Sequence, residues 1–299
     1  GFDSRFLNSR LGLTFDWYTK TTKDWLVTAP ISGVWGLNPP SVNGGDIENR
    51  GFEVALNWND KAGEFNYGAT VNFAHNENEV TRIANAEGII HGDANVLSQG
   101  TTEMYRAQEG YSIGYFYGYK TAGVFQNWDQ VNNTSAKYAG AQPGDLIFVD
   151  TNGDGSITEN DRTQIGNPHP DFTLGLNLNF SYKGFDLNVT GTGAFGQQIA
   201  KSYRSFADSP LQNYTTDIFG RWTGEGTSNK LPRLTSGSHT NWQNISDIYI
   251  EVIISDNAGK DSKALAKVLV DGYSKIMGIT NRGVKKESET PRKKLGILN

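Results

Sequence analysis

The stretch Phe172-Thr173-Leu174-Gly175-Leu176-Asn177-Leu178-Asn179-Phe180-Ser181-Tyr182 alternates without a break. Large apolar or aromatic side chains occupy every even position, and Thr173, Gly175, Asn177, Asn179 and Ser181 the odd ones. A repeat of two belongs to an extended strand, whose successive side chains point to opposite faces; a helix would need 3.6. After a tight Lys183-Gly184 turn, Phe185, Leu187 and Val189 face one way and Asp186, Asn188, Thr190 and Thr192 the other. These two legs predict an antiparallel pair with one greasy and one polar face.

The pattern recurs. Leu11, Leu13, Phe15 and Trp17 oppose Arg10, Gly12, Thr14, Asp16 and Tyr18. Phe52, Val54, Leu56 and Trp58 oppose Glu53, Ala55 and Asn57, and Phe65, Tyr67, Ala69, Val71 and Phe73 oppose Asn66, Gly68, Thr70 and Asn72, with a turn through Asn59, Asp60 and Gly63 between them. Legs of about ten residues suffice for a tilted crossing of a hydrocarbon layer. A soluble sheet with one face on a core produces the same alternation. Two features favour a barrel. The polar face is rich in Asn, Thr and Gly with few Lys or Glu, which suits a lumen, and Trp17, Tyr18, Trp25, Trp58 and Tyr182 sit near strand ends, where interfacial girdles form. Long polar segments at 25–48, 75–112, 126–168 and 200–246, with short turns elsewhere, are a barrel habit and rare in a compact soluble domain.

Composition agrees with an all-β chain: of 299 residues 12% are aromatic and 35 are glycine. A formal charge of -5 argues against a basic nucleic-acid binder. The absence of cysteine excludes disulfides, thiolate metal sites and a cysteine nucleophile. No run approaches the roughly 20 apolar residues of a membrane helix. A mean hydropathy of -0.52 would ordinarily suggest a soluble chain, but it does not speak against a barrel. The start at Gly1, with neither an initiator Met nor a signal-peptide pattern, is read as a mature product or a fragment.

Residues 150–161 match a calcium loop of the EF-hand type, with Asp150, Asn152 and Asp154 followed by Gly155, apolar Ile157 and a last carboxylate, Asp161. The expected oxygen ligands are Asp150, Asn152, Asp154, Ser156, Thr158 and Asp161, in a structural clip without flanking helices. The alternative is an Asx-rich turn without metal. His75, His91, His169 and His239 are scattered in expected loops with no metal spacing and no paired carboxylate, so they are read as solvated. No nucleophile elbow and no phosphate-binding loop is present, and the chain is not expected to be an enzyme. Trp35, Trp128, Trp222 and Trp242 in loops are candidates to stack on sugar rings or peptide side chains, or to pack within the loops.

Several stretches resemble the SusC/RagA group of TonB-dependent outer-membrane transporters, in the C-terminal part of the barrel. They are Asn8-Ser9-Arg10-Leu11 with Asp16-Trp17-Tyr18, Asn43 to Glu53, Gly114 to Lys120 with Gly123-Val124-Phe125, and Pro143-Gly144-Asp145 leading into Asp150 to Gly155. Ile165 to Phe172, Tyr182 to Leu187, Arg221-Trp222-Thr223 and Pro232-Arg233 complete the series. The resemblance implies a partial antiparallel transmembrane β-barrel with long extracellular loops. It also implies energy-coupled uptake of glycans or peptides across the outer membrane of a Bacteroidetes-type bacterium. Implied partners are a SusD-like surface lipoprotein, outer-membrane lipid, and TonB through an N-terminal region, with plug and first half-barrel, that would precede Gly1. The rival reading is a secreted or surface calcium-dependent carbohydrate-binding β protein, its greasy faces buried in a core. A β-sandwich glycosidase is a second rival. The resemblance covers 1–251 and stops after Glu251. Residues 252–299 hold ten Lys+Arg against five Asp+Glu and a single aromatic, Tyr273. This Lys-rich tail is expected to be irregular or weakly helical, and to reflect a frameshift or altered terminus.

Overall fold

The computed structural model describes residues 1–28, 41–94, 96, 101–200, 216–235, 241, 245–252 and 255–256. The chain divides into Gly1–Ser255 and Asp256–Asn299, and the fold below is that of the first unit. The Lys-rich tail lies outside the described residues except for 252, 255 and 256.

One antiparallel sheet dominates. Its strands are β1 (Phe2–Phe6), β2 (Leu11–Thr28), β3 (Ser41–Ala62), β4 (Phe65–Ile83), β11 (Phe172–Tyr182) and β12 (Phe185–Phe195), in that spatial order, with the two-residue β15 (Ser255–Asp256) next. Each alternating stretch of the sequence is a strand here. The β11–β12 turn puts Lys183 at φ 46 and Gly184 at φ 84, the two left-handed residues of a tight hairpin whose twist matches its legs. The β3–β4 turn is shorter than expected. Asn59 and Asp60 remain in β3, opposite Gly68 and Tyr67, and the chain reverses only at Gly63 and Glu64.

The segments expected as loops at 25–48 and 75–112 are partly strand: β2 runs to Thr28, β3 starts at Ser41 and β4 reaches Ile83. The reason is visible on the outer face. Beyond Phe52 and Phe73 it carries Glu48, Arg50, His75, Glu77 and Glu79, so hydrophobic alternation ends while backbone pairing continues through Arg50↔Glu77 and Glu48↔Glu79. Arg82 ties this extension together, its Nη2 2.8 Å from Asp24 and its Nε 2.9 Å from Asp46.

The described residues of the expected loops, together with the stretches beside them, are not structureless either. They form β5 (Ile89–His91), β6 (Tyr105–Gln108), β7 (Tyr115–Tyr119), β8 (Thr121–Val124), β9 (Leu146–Phe148), β10 (Arg162–Gly166), β13 (Gln198–Ala200), β14 (Ile250–Val252) and a six-residue helix α1 (Trp128–Asn133). β10-β7-β6-β5 make a second sheet, and β8–β9 and β13–β14 are separate pairs. This loop body holds the main hydrophobic core: Phe116, Val124, Leu146, Phe148, Ile165, Ile218, Ile245 and Ile248 pack together there. Among the described residues no buried hydrophobic comes from β1, β2, β3, β11 or β12.

Candidate transport surface

Among the described residues nothing covers the greasy face of the large sheet. Trp17 is 73% exposed, Leu187 58% and Phe185 81%. Leaving such a surface in water forfeits about 25 cal/mol per Å² of apolar area, so a large unpacked face marks an interaction surface. Two aromatic rows bound it. One crosses five strands, with ring centroids 6.3 Å apart for Phe15–Phe52, 5.8 Å for Phe52–Phe73, 5.4 Å for Phe73–Phe172 and 4.8 Å for Phe172–Phe195. The other, at the hairpin end, stacks Tyr67 on Phe65 and Phe65 on Phe180, with Tyr182 at its edge. The eleven residues of β11 join the rows. They span about 33 Å along the strand, hence about 25 Å along the membrane normal at a barrel's usual tilt. That is the height of an outer-membrane apolar band. The sandwich reading required these side chains in a core, and their exposure removes it.

The opposite face is a wall of amides and hydroxyls. Register aligns Asn57, Thr70, Asn177 and Thr190 in one row. Asn57 Nδ2 donates to Thr70 Oγ1 at 2.8 Å, and Asn177 Nδ2 to Thr190 Oγ1 at 2.8 Å and Asn188 Oδ1 at 3.0 Å. The next row is Asn59, Gly68, Asn179 and Asn188. Gly68 leaves room there for the amide oxygens of Asn179 and Asn59, which a Cβ would displace. Near this row a groove of about 540 Å³ opens, lined among others by Lys61, Asn66, Ser181 and Asp186.

In the loop body three short stretches far apart in sequence meet at one buried carboxylate. Asp145 is fully buried and accepts from Arg233 Nε at 2.7 Å, Asn241 Nδ2 at 2.9 Å and the Gln142 N–H at 3.0 Å. Arg233 also donates its backbone N–H to the Gly144 carbonyl at 2.7 Å. Gly144, at φ 91, lies under the Trp222 ring, where a side chain would not fit. Pro143-Gly144-Asp145, Arg221-Trp222-Thr223 and Pro232-Arg233 are therefore one latch. Burial, then the neighbouring Asp145 charge, pushes the Tyr138 phenol well above its ordinary range.

Residues 150–161 wrap into successive Asx turns. Asp150 Oδ1 and Oδ2 accept from the N–H groups of Gly153 (2.7 Å) and Gly155 (2.8 Å), Asn152 from Asp154 (2.8 Å) and Asp154 from Ser156 (2.8 Å). Asp161 is fully buried and accepts from the N–H groups of Thr151 (2.9 Å) and Thr158 (2.7 Å), which closes the ring. Burial works to raise its pKa, but the backbone donors of Thr158, Thr151 and Asn152 outweigh that and hold it below the ordinary carboxylate value. Among the described residues no three acidic or histidine side chains converge into a metal-holding group.

No family model matches the chain. TonB-dependent receptor P3 of Formosa agariphila is 32% identical over 235 residues, 78% of this chain and 23% of that one. The TonB-dependent receptor SusC of Bacteroides thetaiotaomicron is 26% identical over 235 residues, 76% of this chain and 22% of that one. A solved structure titled as the RagAB peptide transporter superposes with a TM-score of 0.64 at 18% identity, covering 84% of this chain and 26% of that one. The chain belongs to the TonB-dependent receptors of the SusC/RagA type. It spans about a quarter of the length of the curated relatives it matches. These relatives are receptors and transporters, not enzymes, and the large sheet has the fold of part of such a barrel.

Within this SusC/RagA-type segment the four candidate tryptophans separate. Trp128 stands exposed on α1. Trp222 is partly buried against the loop core, so packing, not a free stacking platform, is its place in the latch. Trp35 and Trp242 lie outside the described residues, as does His239. The other histidines, expected as solvated residues without a paired carboxylate, keep at least partial exposure, but His91 has carboxylate neighbours that the sequence did not show. His91 lies between Glu103 (2.8 Å) and Glu87 (3.2 Å), His75 Nδ1 meets the Asp171 carbonyl, and His169 Nε2 lies 2.9 Å from the Ile113 carbonyl. Sequence reasoning missed Asp145 and Arg233 as partners. Their only signal was membership in separate short stretches of the family resemblance.

Proposed function

We propose that the receptor containing this segment imports glycans or peptides across the outer membrane, energised through TonB and working with a SusD-like surface lipoprotein. The observation that carries this reading is the unpacked apolar face, bounded by two aromatic rows and backed by a polar wall rich in amides and hydroxyls. Lipid covers the first, and a hydrated lumen faces the second. Kinship with SusC and the fold likeness to a peptide transporter support both the partner and the cargo class. The test is fractionation and uptake in the source bacterium. The receptor should stay with outer membranes after an alkaline carbonate wash and leave them only in detergent, and its deletion should abolish growth on one oligosaccharide or peptide source. Release by carbonate would overturn the membrane reading.

Calcium belongs to the same proposal as a structural clip held by Asp150, Asn152, Asp154, Ser156, Thr158 and Asp161. The donor set is all oxygen, and Gly155 at φ 84 supplies the sharp bend, which suits a hard cation. A bound ion would add its charge to a loop that is already wrapped. Calcium in excess should raise the unfolding temperature of the detergent-solubilised receptor, by the equivalent of about 2.7 kcal/mol at a hundredfold excess over Kd. Asp154→Ala should remove the shift. An identical melt in calcium and in chelator would sink the clip.

A further inference from the structure

The strands of the loop sheet gather cationic and phenolic side chains on one face. Register places His91 opposite Arg106, Arg106 opposite Tyr115, and Gln164 opposite Tyr117. Residues two apart in a strand share a side, so Arg162 joins that face. The guanidinium carbons of Arg106 and Arg162 lie 3.3 Å and 4.5 Å from the Tyr117 ring centroid. Arg106 is only 8% exposed.

Arg106 is buried and Arg162 partly so, both against one ring, and cations so placed need acceptors, of which the described residues supply few. Arg106 Nη2 pairs with Glu103, but Glu103 is shared with His91. Arg162 Nη2 donates to the Glu103 carbonyl at 2.6 Å, and among the described residues no carboxylate forms an ion pair with it. The Nε–H groups of both arginines are buried without any partner. An orphaned buried donor costs its full desolvation, and a neighbouring like charge adds repulsion. Burial above all, with a smaller part from the Arg106 charge, pulls the Arg162 pKa below its ordinary value. Guanidinium donors arranged in a fork match the oxygens of a carboxylate, sulfate or phosphate.

We propose that Arg106 and Arg162, set around Tyr117 in the loop sheet, form a binding site for an oxyanion, either a free inorganic ion or the acidic group of a larger molecule. The site stands whether or not the receptor imports glycans or peptides, since its test measures binding alone. Full-length receptor in detergent is titrated calorimetrically with sodium sulfate at ionic strength held constant with sodium chloride. In parallel, phenylglyoxal modification is followed by peptide mass spectrometry at Arg162, with exposed Arg10 as the internal control.

Saturable sulfate binding, weakened about tenfold or more by Arg162→Gln, with protection confined to Arg162, is the expected result. Glucuronate displacing sulfate where glucose does not would assign the site to a carried acidic group. Sulfate binding without glucuronate competition would assign it to the free ion. No heat beyond that of matched chloride, or equal protection at Arg10 and Arg162, would overturn the site. The labelling needs no variant, so misfolding of Arg162→Gln leaves that readout intact.

Discussion

Asp145→Ala is expected to destabilise the loop body by about 3–5 kcal/mol, the usual cost of removing one partner from a buried ion pair. The carboxylate is fully buried, and three donors converge on it from Arg233, Asn241 and Gln142. Truncation leaves a guanidinium and an amide facing a void, each with its desolvation already spent. Arg233→Ala should cost less, because that side chain retains 22% exposure and the surviving carboxylate keeps two other donors. Denaturant unfolding followed by tryptophan emission gives both values, since Trp222 lies against Gly144 in the same latch. A double-mutant cycle should show strong non-additivity. A second readout is independent of stability: with Asp145 gone, the Tyr138 phenol loses part of what holds its pKa up and should ionise at lower pH, seen as tyrosinate absorbance. A cost below about 1 kcal/mol would place the latch among ordinary surface pairs.

Leu176→Arg should weaken folding of the full receptor into lipid vesicles by about 2–4 kcal/mol, the cost of a basic side chain near the bilayer midplane. Leu176 lies near the middle of β11, between the two aromatic rows, on the face that none of the described residues covers. Asn177→Arg is the control one residue away. It turns its charge to the polar wall and sacrifices only hydrogen bonds to Asn188 and Thr190, worth about 1 kcal/mol each. The contrast between adjacent positions separates lipid from water as the neighbour of each face. Equal costs would mean that the apolar row is not in hydrocarbon.

Five strands of the main sheet, β2, β3, β4, β11 and β12, were legible because alternation is a local property: a side chain two residues on always returns to the same face, whatever the rest of the chain does. In contrast, β1 at Phe2–Phe6 is too short to announce itself. The same locality explains where legibility stopped. Above Phe52 and Phe73 both faces become polar, so β3 and β4 continue unannounced through Glu48, Arg50, Glu77 and Glu79. The short strands of the loop body carry too few alternations to stand out from the polar sequence around them.

Local pattern was enough to establish the antiparallel hairpins, their greasy and polar faces, the Lys183-Gly184 reversal and the wrapped 150–161 loop, since each depends on neighbours along the chain. Folding alone brought Asp145 to Arg233, 88 residues on, and set Arg162 against the Glu103 carbonyl, 59 residues back. Such contacts rest on desolvation and hydrogen-bond geometry between distant segments, and no repeat in the intervening residues encodes them.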